Sequence, residues 1–302
     1  MSIALAVLAA AASAVASVLQ RKAASTEPRD GAGGPGLVRN LARKPVWLGG
    51  VAAIAVGFGL HTAALATGPI ILVQPILVLE LGFALLFASV IFHSRLTARE
   101  WTAIAGMTMG LVLLLFSLRP TGGRPGSASG TAWAVGIAVT LAVAALFLWR
   151  AHRSSGGSRI RVQARRPAYL GIATGLGFGL TATLVAAVAD AFTHRGITGV
   201  LTAWQAYLLA VLGPLVFLSL QRTLQAGRLV VSQPAITLAN PIVGFGFGVG
   251  VFGEDVRTGG WLVGAFVGVA LIAGATVALA RSPLLHEGAP SAAGADRSEP
   301  TV

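Results

Sequence analysis

The chain has 302 residues, of which 55% are hydrophobic and only 11% are charged, and its mean hydropathy is +0.79. Soluble globular proteins carry about 25% charged residues, so the composition excludes a soluble two-domain protein and indicates an integral membrane protein. The net charge of +12 comes from basic residues that lie between hydrophobic segments, which indicates membrane topology and contact with anionic lipid headgroups rather than nucleic-acid binding.

A membrane-spanning helix needs about 20 mostly apolar residues, and nine stretches of the chain meet this length. They are 2–20, 45–66, 69–93, 100–118, 131–150, 167–190, 200–220, 229–252 and 259–280. All six tryptophans fall near the ends of these stretches, where amphipathic rings favour the membrane interface. The sequence therefore predicts an all-α integral membrane protein with about nine transmembrane helices.

Charge asymmetry predicts the orientation of these helices. Eighteen of the 22 Lys and Arg lie on one side of the membrane, and four, Arg119, Arg124, Arg195 and Arg257, lie on the other. Cytoplasmic loops are enriched in basic residues, so we expect the N-terminus outside and the C-terminus in the cytoplasm. Twenty Arg against two Lys, together with abundant alanine, indicate a GC-rich bacterial genome and hence the bacterial plasma membrane.

The two ends of the chain lead to separate predictions. Ala14, Val15 and Ala16 resemble a signal-peptidase site, but the nearby charges, Arg21 and Lys22, follow the apolar run. A secretory signal has its charges before that run, so we expect a retained helix. The segment 282–302 is rich in Ala, Pro, Gly, Ser and acidic residues, a composition that predicts a disordered cytoplasmic tail.

Two segments of the chain resemble each other: 68–75 (GPIILVQP) and 227–234 (GRLVVSQP). Their glutamines are 159 residues apart, and the tryptophans that follow them are 160 residues apart. Corresponding helices are five spans apart, and an odd number implies opposite orientations in the membrane. Inverted repeats are a common construction of secondary transporters. We therefore predict one transmembrane domain, 1–281, with repeat one at 2–118, a linker helix at 131–150 and repeat two at 167–281.

Several short motifs carry a family resemblance: 17–22 (SVLQRK), 47–50 (WLGG), 64–69 (ALATGP), 72–75 (LVQP) and 95–101 (RLTAREW). With them the chain resembles the drug/metabolite transporter superfamily, and its nine-span layout is similar to the EamA-like and NIPA-like branch. The resemblance implies a secondary transporter, and the NIPA-like branch implies a magnesium pathway. Compared with ten-span EamA-type members, one helix is missing after the first span.

Glu80 is the sharpest functional candidate, because it lies near the centre of the third stretch. An acid at that depth costs on the order of 2.5–3.5 kcal/mol, so we expect it to face the bundle interior as a proton- or cation-coupling site. The alternative is a structural hydrogen bond between helices. Asp190, near the outer end of its helix, is interpreted as a solvated acid. His61 either lines a vestibule with a role in proton relay or is a packed histidine.

Proline residues accompany the other candidates for the substrate or coupling-ion site. Proline removes one backbone hydrogen bond and frees carbonyl groups, so helix breaks are predicted at Pro75, Pro234 and Pro241. Beside these prolines lie three polar residues, Gln74, Gln233 and Asn240. Glu80 and Asn240 are expected to approach a shared midplane. The alternative is that the prolines only shape the helices. Glycines at four-residue spacing are predicted to serve helix packing.

Three functions remain open at this point. The first is alternating-access transport of a small metabolite or drug-like solute, coupled to protons through Glu80. The second is magnesium transport with Glu80 as the metal ligand, and the third is a structural membrane protein. An enzyme is not expected, because the chain lacks histidines at metal spacing, an intramembrane acid pair and a nucleophile elbow. We expect no cofactor; lipids and the solute or cation are the expected partners, and a homodimer is left open.

Overall fold

The computed structural model describes residues 1–25, 44–93, 95–153, 159–225 and 229–282. The described helices are α1 (Ser2–Ser25), α2 (Pro45–Thr67), α3 (Ile70–Ile76), α4 (Leu79–Ile91), α5 (Ala98–Leu118), α6 (Gly130–Arg153), α7 (Arg159–Thr202), α8 (Trp204–Gln225), α9 (Leu229–Gly250) and α10 (Trp261–Leu279). Two short strands, β1 (Thr121–Gly122) and β2 (Glu254–Asp255), pair antiparallel.

Eight helical segments of the described part of the chain are long and apolar enough to cross a membrane. They are Ser2–Gln20, Pro45–Thr67, Ile70–Ile91, Ala98–Leu118, Gly130–Arg153, Arg165–Thr202, Trp204–Thr223 and Trp261–Leu279. The prediction of an all-α membrane protein is thereby confirmed. Helix α9 covers the predicted stretch 229–252 but is not among the eight, and it contains the polar residues Ser232, Gln233 and Asn240.

The prolines affect their helices differently from one another. The predicted stretch 69–93 forms two helices, because the chain leaves regular α geometry just after Pro75. Here Leu77 N–H donates to the Gln74 carbonyl at 3.3 Å and Val78 N–H donates to the Pro75 carbonyl at 3.1 Å, the tighter three-residue pattern. Pro234 and Pro241 are not breaks of this kind, because α9 continues through both of them.

Helix α7 is longer than predicted. The sequence suggested a loop at 191–199, but the helix continues to a kink at Gly196, whose φ of 61° lies in the left-handed region that glycine tolerates. A short helical segment then leads to Thr202, and α8 begins at Trp204. Asp190 therefore lies inside a helix rather than near its end.

Glycines allow close packing between three helix pairs, α1 with α2, α7 with α9 and α5 with α10. A Cβ added at Gly171, Gly175 or Gly179 would lie 2.6–2.7 Å from a carbonyl oxygen of α9, and one at Gly268 would lie 2.7 Å from the Gly110 oxygen. The packing prediction is confirmed at these positions. It is wrong at three others, where a Cβ would have no neighbour within 4 Å among the described residues: Gly246, Gly250 and Gly260.

The loops gather at two opposite ends of the bundle. At the β1–β2 end, Thr121 pairs with Asp255, and Arg124 N–H donates to the Phe252 carbonyl at 3.0 Å. At the Glu100 end, the buried Ser282 hydroxyl donates to the Glu100 carboxylate. Ser282, the first residue of the predicted disordered tail, is thus packed against the fold, while 283–302 lie outside the described residues.

Candidate functional site

A cavity of about 410 Å³ lies between α1, the α3–α4 break and α7 to α9. We call it the Glu80 cavity. Its polar lining comprises Ser17, Gln74, Glu80, Gln233, Thr237 and Asn240, and the remaining lining includes Leu77, Leu81, Ala84, Phe178, Leu220 and Ile236. The structure therefore brings together four of the five polar residues that the sequence nominated, two from each predicted repeat.

Glu80 reaches this cavity because of the break that follows Pro75. It occupies the first turn of α4, where its N–H donates to the Leu77 carbonyl at 3.0 Å. The side chain is partly exposed and interacts with the Ser17 side chain of α1. The carboxyl group thus lines the cavity and has a polar neighbour, Ser17, on a different helix.

Gln74 is the most unusual polar residue of the cavity. Gln74 is 1% exposed, and neither its Oε1 nor its Nε2 atom has a hydrogen-bond partner among the described residues. Leaving a buried polar group unpaired costs about 1–3 kcal/mol. The aliphatic part of the side chain packs closely on α9, because a Cβ at Gly244 would lie 2.8 Å from the Gln74 Cγ. An unpaired donor and acceptor at a cavity wall are suited to bind a polar solute.

Helix α9 provides the second polar wall. Gln233, Thr237 and Asn240 are four and three residues apart, so they share one helical face. The Asn240 Oδ1 atom is buried without a hydrogen-bond partner in the part of the chain that the structure describes, whereas Gln233 is exposed. Thr237 and Ser17 were not nominated from the sequence. Thr237 was recognisable from its spacing on the α9 face, but Ser17 joins the site only through tertiary packing.

His61 is not brought to this cavity. It lies on α2, its Nε2 atom is buried and no described residue forms a hydrogen bond with it, and it is not among the lining residues. Asp190, which the sequence suggested to be a solvated acid, has a side chain that is 17% exposed. Its carboxylate lies 3.7 Å from an Arg124 guanidinium nitrogen and 3.4 Å from His194 Nδ1.

A second pocket of about 390 Å³ lies at the β1–β2 end, lined by Arg124, Asp190, His194 and Glu254 among others. Glu254 is 5% exposed, and its carboxylate accepts hydrogen bonds from Ile70 N at 2.5 Å and Ile71 N at 3.0 Å. Burial raises the pKa of Glu254, and the two backbone donors partly oppose that effect. Sequence analysis missed this residue, because its burial depends on the pairing of β1 with β2.

No group of three or more His, Cys, Asp or Glu residues within the described ranges is arranged to hold a metal ion. The polar lining of the Glu80 cavity contains one carboxylate, two hydroxyl groups and three amides. Magnesium is commonly bound through one or two carboxylates with several retained waters. The cavity therefore offers a minimal ligand set for a hydrated divalent ion and a larger set of hydrogen-bonding groups for an organic solute.

The eight long apolar helices of the described residues define the class of protein: an all-α protein that is embedded in a membrane. Over 295 residues the chain is 32% identical to an uncharacterized protein of Corynebacterium glutamicum, with 94% of this chain and 97% of that protein covered. The chain belongs to the same family as that protein. No family model matches the chain, and no solved structure matches it.

Proposed function

We propose that the protein is a secondary transporter of the drug/metabolite transporter type, which moves a small metabolite or drug-like solute by alternating access. The observation that supports this most strongly is the Glu80 cavity, whose polar groups come from both predicted repeats. Small-molecule sites are typically concave, about 300–1,000 Å³ in volume, and mostly apolar with a few placed polar groups. The Glu80 cavity has this size and this lining.

The helix contacts support an inverted-repeat arrangement for this transporter. In the proposed correspondence, α1, α2, the α3–α4 pair and α5 match α7, α8, α9 and α10. The pairs α1–α2 and α7–α8 both pack within a repeat, and the corresponding helices α5 and α10 meet each other across the repeats. Helix α3 likewise contacts α9. Contacts between corresponding helices of the two repeats are expected where two similar halves are related by an approximate two-fold axis.

The proposed mechanism assigns a coupling role to Glu80. Its carboxyl group binds a proton or a cationic group of the solute, and the change in charge alters the relative stability of the two access states. Gln74 and Asn240 supply the unpaired hydrogen-bonding atoms that orient the solute. We place the protein in the bacterial plasma membrane, with the β1–β2 end outside and the Glu100 end in the cytoplasm, as the distribution of basic residues indicates.

Magnesium transport is the second candidate, and the oxygen atoms of Glu80, Gln74 and Asn240 favour it, because hard cations prefer carboxylate and amide oxygens. A purely structural role is less well supported, since a structural bundle has no need of an unpaired, buried Gln74. Because the two transport candidates share a cavity, only the transported species distinguishes them.

The test is a flux assay in proteoliposomes that contain a pH-sensitive dye. Amino acids, small amines and neutral solutes are added one at a time, and Mg²⁺ influx is followed separately with a magnesium-sensitive dye. Ala84→Trp fills the cavity, whereas Val90→Trp makes the same kind of change on the same helix at a position that is 72% exposed.

We expect solute-driven proton movement in wild type and Val90→Trp, and its loss in Ala84→Trp. If Mg²⁺ influx instead occurs in wild type and Val90→Trp and is lost in Ala84→Trp, the protein is a magnesium transporter. Absence of any flux from folded protein, or equal flux in the two variants, would contradict the proposal.

A further inference from the structure

The Glu80 cavity is closed towards the β1–β2 end by a seam between α3 and α9. Three contacts follow one another along this seam. Gln74 packs on Gly244, Ile71 packs on Gly248, and the Glu254 carboxylate accepts the N–H groups of Ile70 and Ile71. A Cβ at Gly248 would lie 2.5 Å from Ile71 Cγ1, so the two helices are in direct contact there.

Glu254 is held at the end of the seam by its own loop. Strand β2 pairs with β1, with Gly122 opposite Glu254, and Gly123 lies so close that a Cβ there would be 2.9 Å from the Glu254 nitrogen. The chain turns into β2 at Gly253, whose φ of 71° is in the left-handed region. The carboxylate is thereby presented to the start of α3, 184 residues away in the chain from its partner Ile70.

The cavity extends the other way, towards the Glu100 end. Ser2 lies against Gly68 at the β1–β2 end, and Ser17 is fifteen residues further along α1, roughly 22 Å away at 1.5 Å per residue. Leu220 is sixteen residues beyond Trp204 on α8, a similar distance. Ser17 and Gln233 line the cavity and are exposed. The structure is thus closed at one end and accessible at the other.

We infer that Glu254 and the N-terminal residues of α3, Ile70 and Ile71, form the gate that closes the Glu80 cavity at the β1–β2 end. The contact joins segments from the two predicted repeats, so it must separate when the cavity opens to that side. Opening exposes a carboxylate and two N–H groups to water, which restores their hydrogen bonds. This inference rests on the proposed transport function, since only a transporter needs the second access state.

The test measures access to the cavity from each side. The chain has no cysteine, so Thr237→Cys introduces a single reporter thiol in the cavity lining. Its reaction with a membrane-impermeant maleimide is timed in vesicles of both orientations. Thr258→Cys, which is exposed beside β2, identifies the preparation in which the β1–β2 end faces the reagent.

Glu254→Ala is compared with Asp255→Ala, which removes the neighbouring exposed carboxylate and leaves the gate contact in place. We expect slow labelling of the reporter thiol from the β1–β2 end when Thr237→Cys is the only change. When Glu254→Ala is added, that rate should rise by about tenfold or more, because the two hydrogen bonds that hold the start of α3 are lost, and labelling from the Glu100 end should fall. Glu254→Gln keeps one acceptor oxygen and should give a smaller rise.

A reciprocal change at the two ends is the required result, because a variant that merely loosens or unfolds would label faster from both. Faster labelling from both ends would contradict the proposed gate. Equal labelling rates in Glu254→Ala and Asp255→Ala would also contradict it. Labelling needs no substrate, so the gate and the transport activity are tested separately. A reciprocal shift without any solute flux would leave the gate standing and contradict the proposed function.

Discussion

The tight packing of α7 on α9 gives a quantitative prediction at Gly175. A Cβ added there would lie 2.6 Å from the Ile236 carbonyl oxygen, 2.8 Å from the Ala239 Cβ and 3.0 Å from the Ile236 Cα. Unstrained contacts of this kind are about 3.5 Å or longer, and all three neighbours are backbone or Cβ atoms that cannot rotate away. Gly175→Ala must therefore push the two helices apart by several tenths of an ångström.

The expected cost follows from two opposing effects. Overpacking a well-packed contact costs about 1–3 kcal/mol, and the rigid neighbours favour the upper part of that range. Replacing glycine by alanine in a helix regains about 1 kcal/mol. Gly175→Ala should thus lower the free energy of unfolding by about 1–2 kcal/mol. Gly246→Ala, whose Cβ would meet no described residue within 4 Å, should raise it by up to about 1 kcal/mol.

The measurement is reversible unfolding by SDS titration in mixed micelles, followed by circular dichroism, with the two variants and wild type under identical conditions. The helix-propensity gain is common to both substitutions, so the difference between them isolates the contact with α9. Equal unfolding free energies for Gly175→Ala and Gly246→Ala would refute the packing of α7 on α9 described above.

Three further predictions follow from buried polar groups. Gln74→Leu should raise the free energy of unfolding, measured by SDS titration, by about 1–3 kcal/mol, because it removes an unpaired buried amide. The same variant should reduce solute flux in the proteoliposome assay. Glu100→Ala should lower the unfolding free energy by about 1 kcal/mol or more, because Glu100 forms a capping box with Thr97 and accepts from Ser282; an unchanged value would contradict this. Burial raises the pKa of Glu254 in the closed gate above the ordinary carboxyl value, so the closed state binds this proton more tightly than a solvated state. Protonated Glu254 therefore stabilises the closed gate at pH values below the ordinary carboxyl pKa. This stabilisation is lost as pH rises through the raised pKa of Glu254. Labelling of the cavity from the β1–β2 end should therefore increase with pH, and this part of the increase should be absent in Glu254→Gln.

Hydrophobic length and proline position made much of the helical fold predictable. Each of the nine apolar stretches contains helix. A helix of about 20 apolar residues matches the thickness of the membrane and forms all of its backbone hydrogen bonds internally. Pro75 signalled the change between α3 and α4. The end of α7 was not predictable, because the polar residues after Asp190 resemble a loop, whereas in the structure they continue the helix to Gly196.

The cavity was partly predictable from the positions of its polar residues in the apolar stretches. Gln233 and Asn240 share a helical face, and Glu80 is costly anywhere except the interior of a bundle. The proximity of Gln74 to Gly244 depends on how α3 crosses α9, which no local pattern encodes. Glu254 looked like a loop acid, and only the pairing of β1 with β2, two segments far apart in the chain, buries it.

Glu80 carries the central claim of coupled transport, and one measurement tests it most directly. Uptake of the solute identified in the flux assay is measured at several pH values in proteoliposomes that contain wild type, Glu80→Gln or Asp255→Asn, each checked for folding by SDS titration. We predict pH-dependent, gradient-driven uptake in wild type and in Asp255→Asn, and loss of that uptake in folded Glu80→Gln, since glutamine cannot exchange a proton. Normal uptake by Glu80→Gln at every pH would contradict the account.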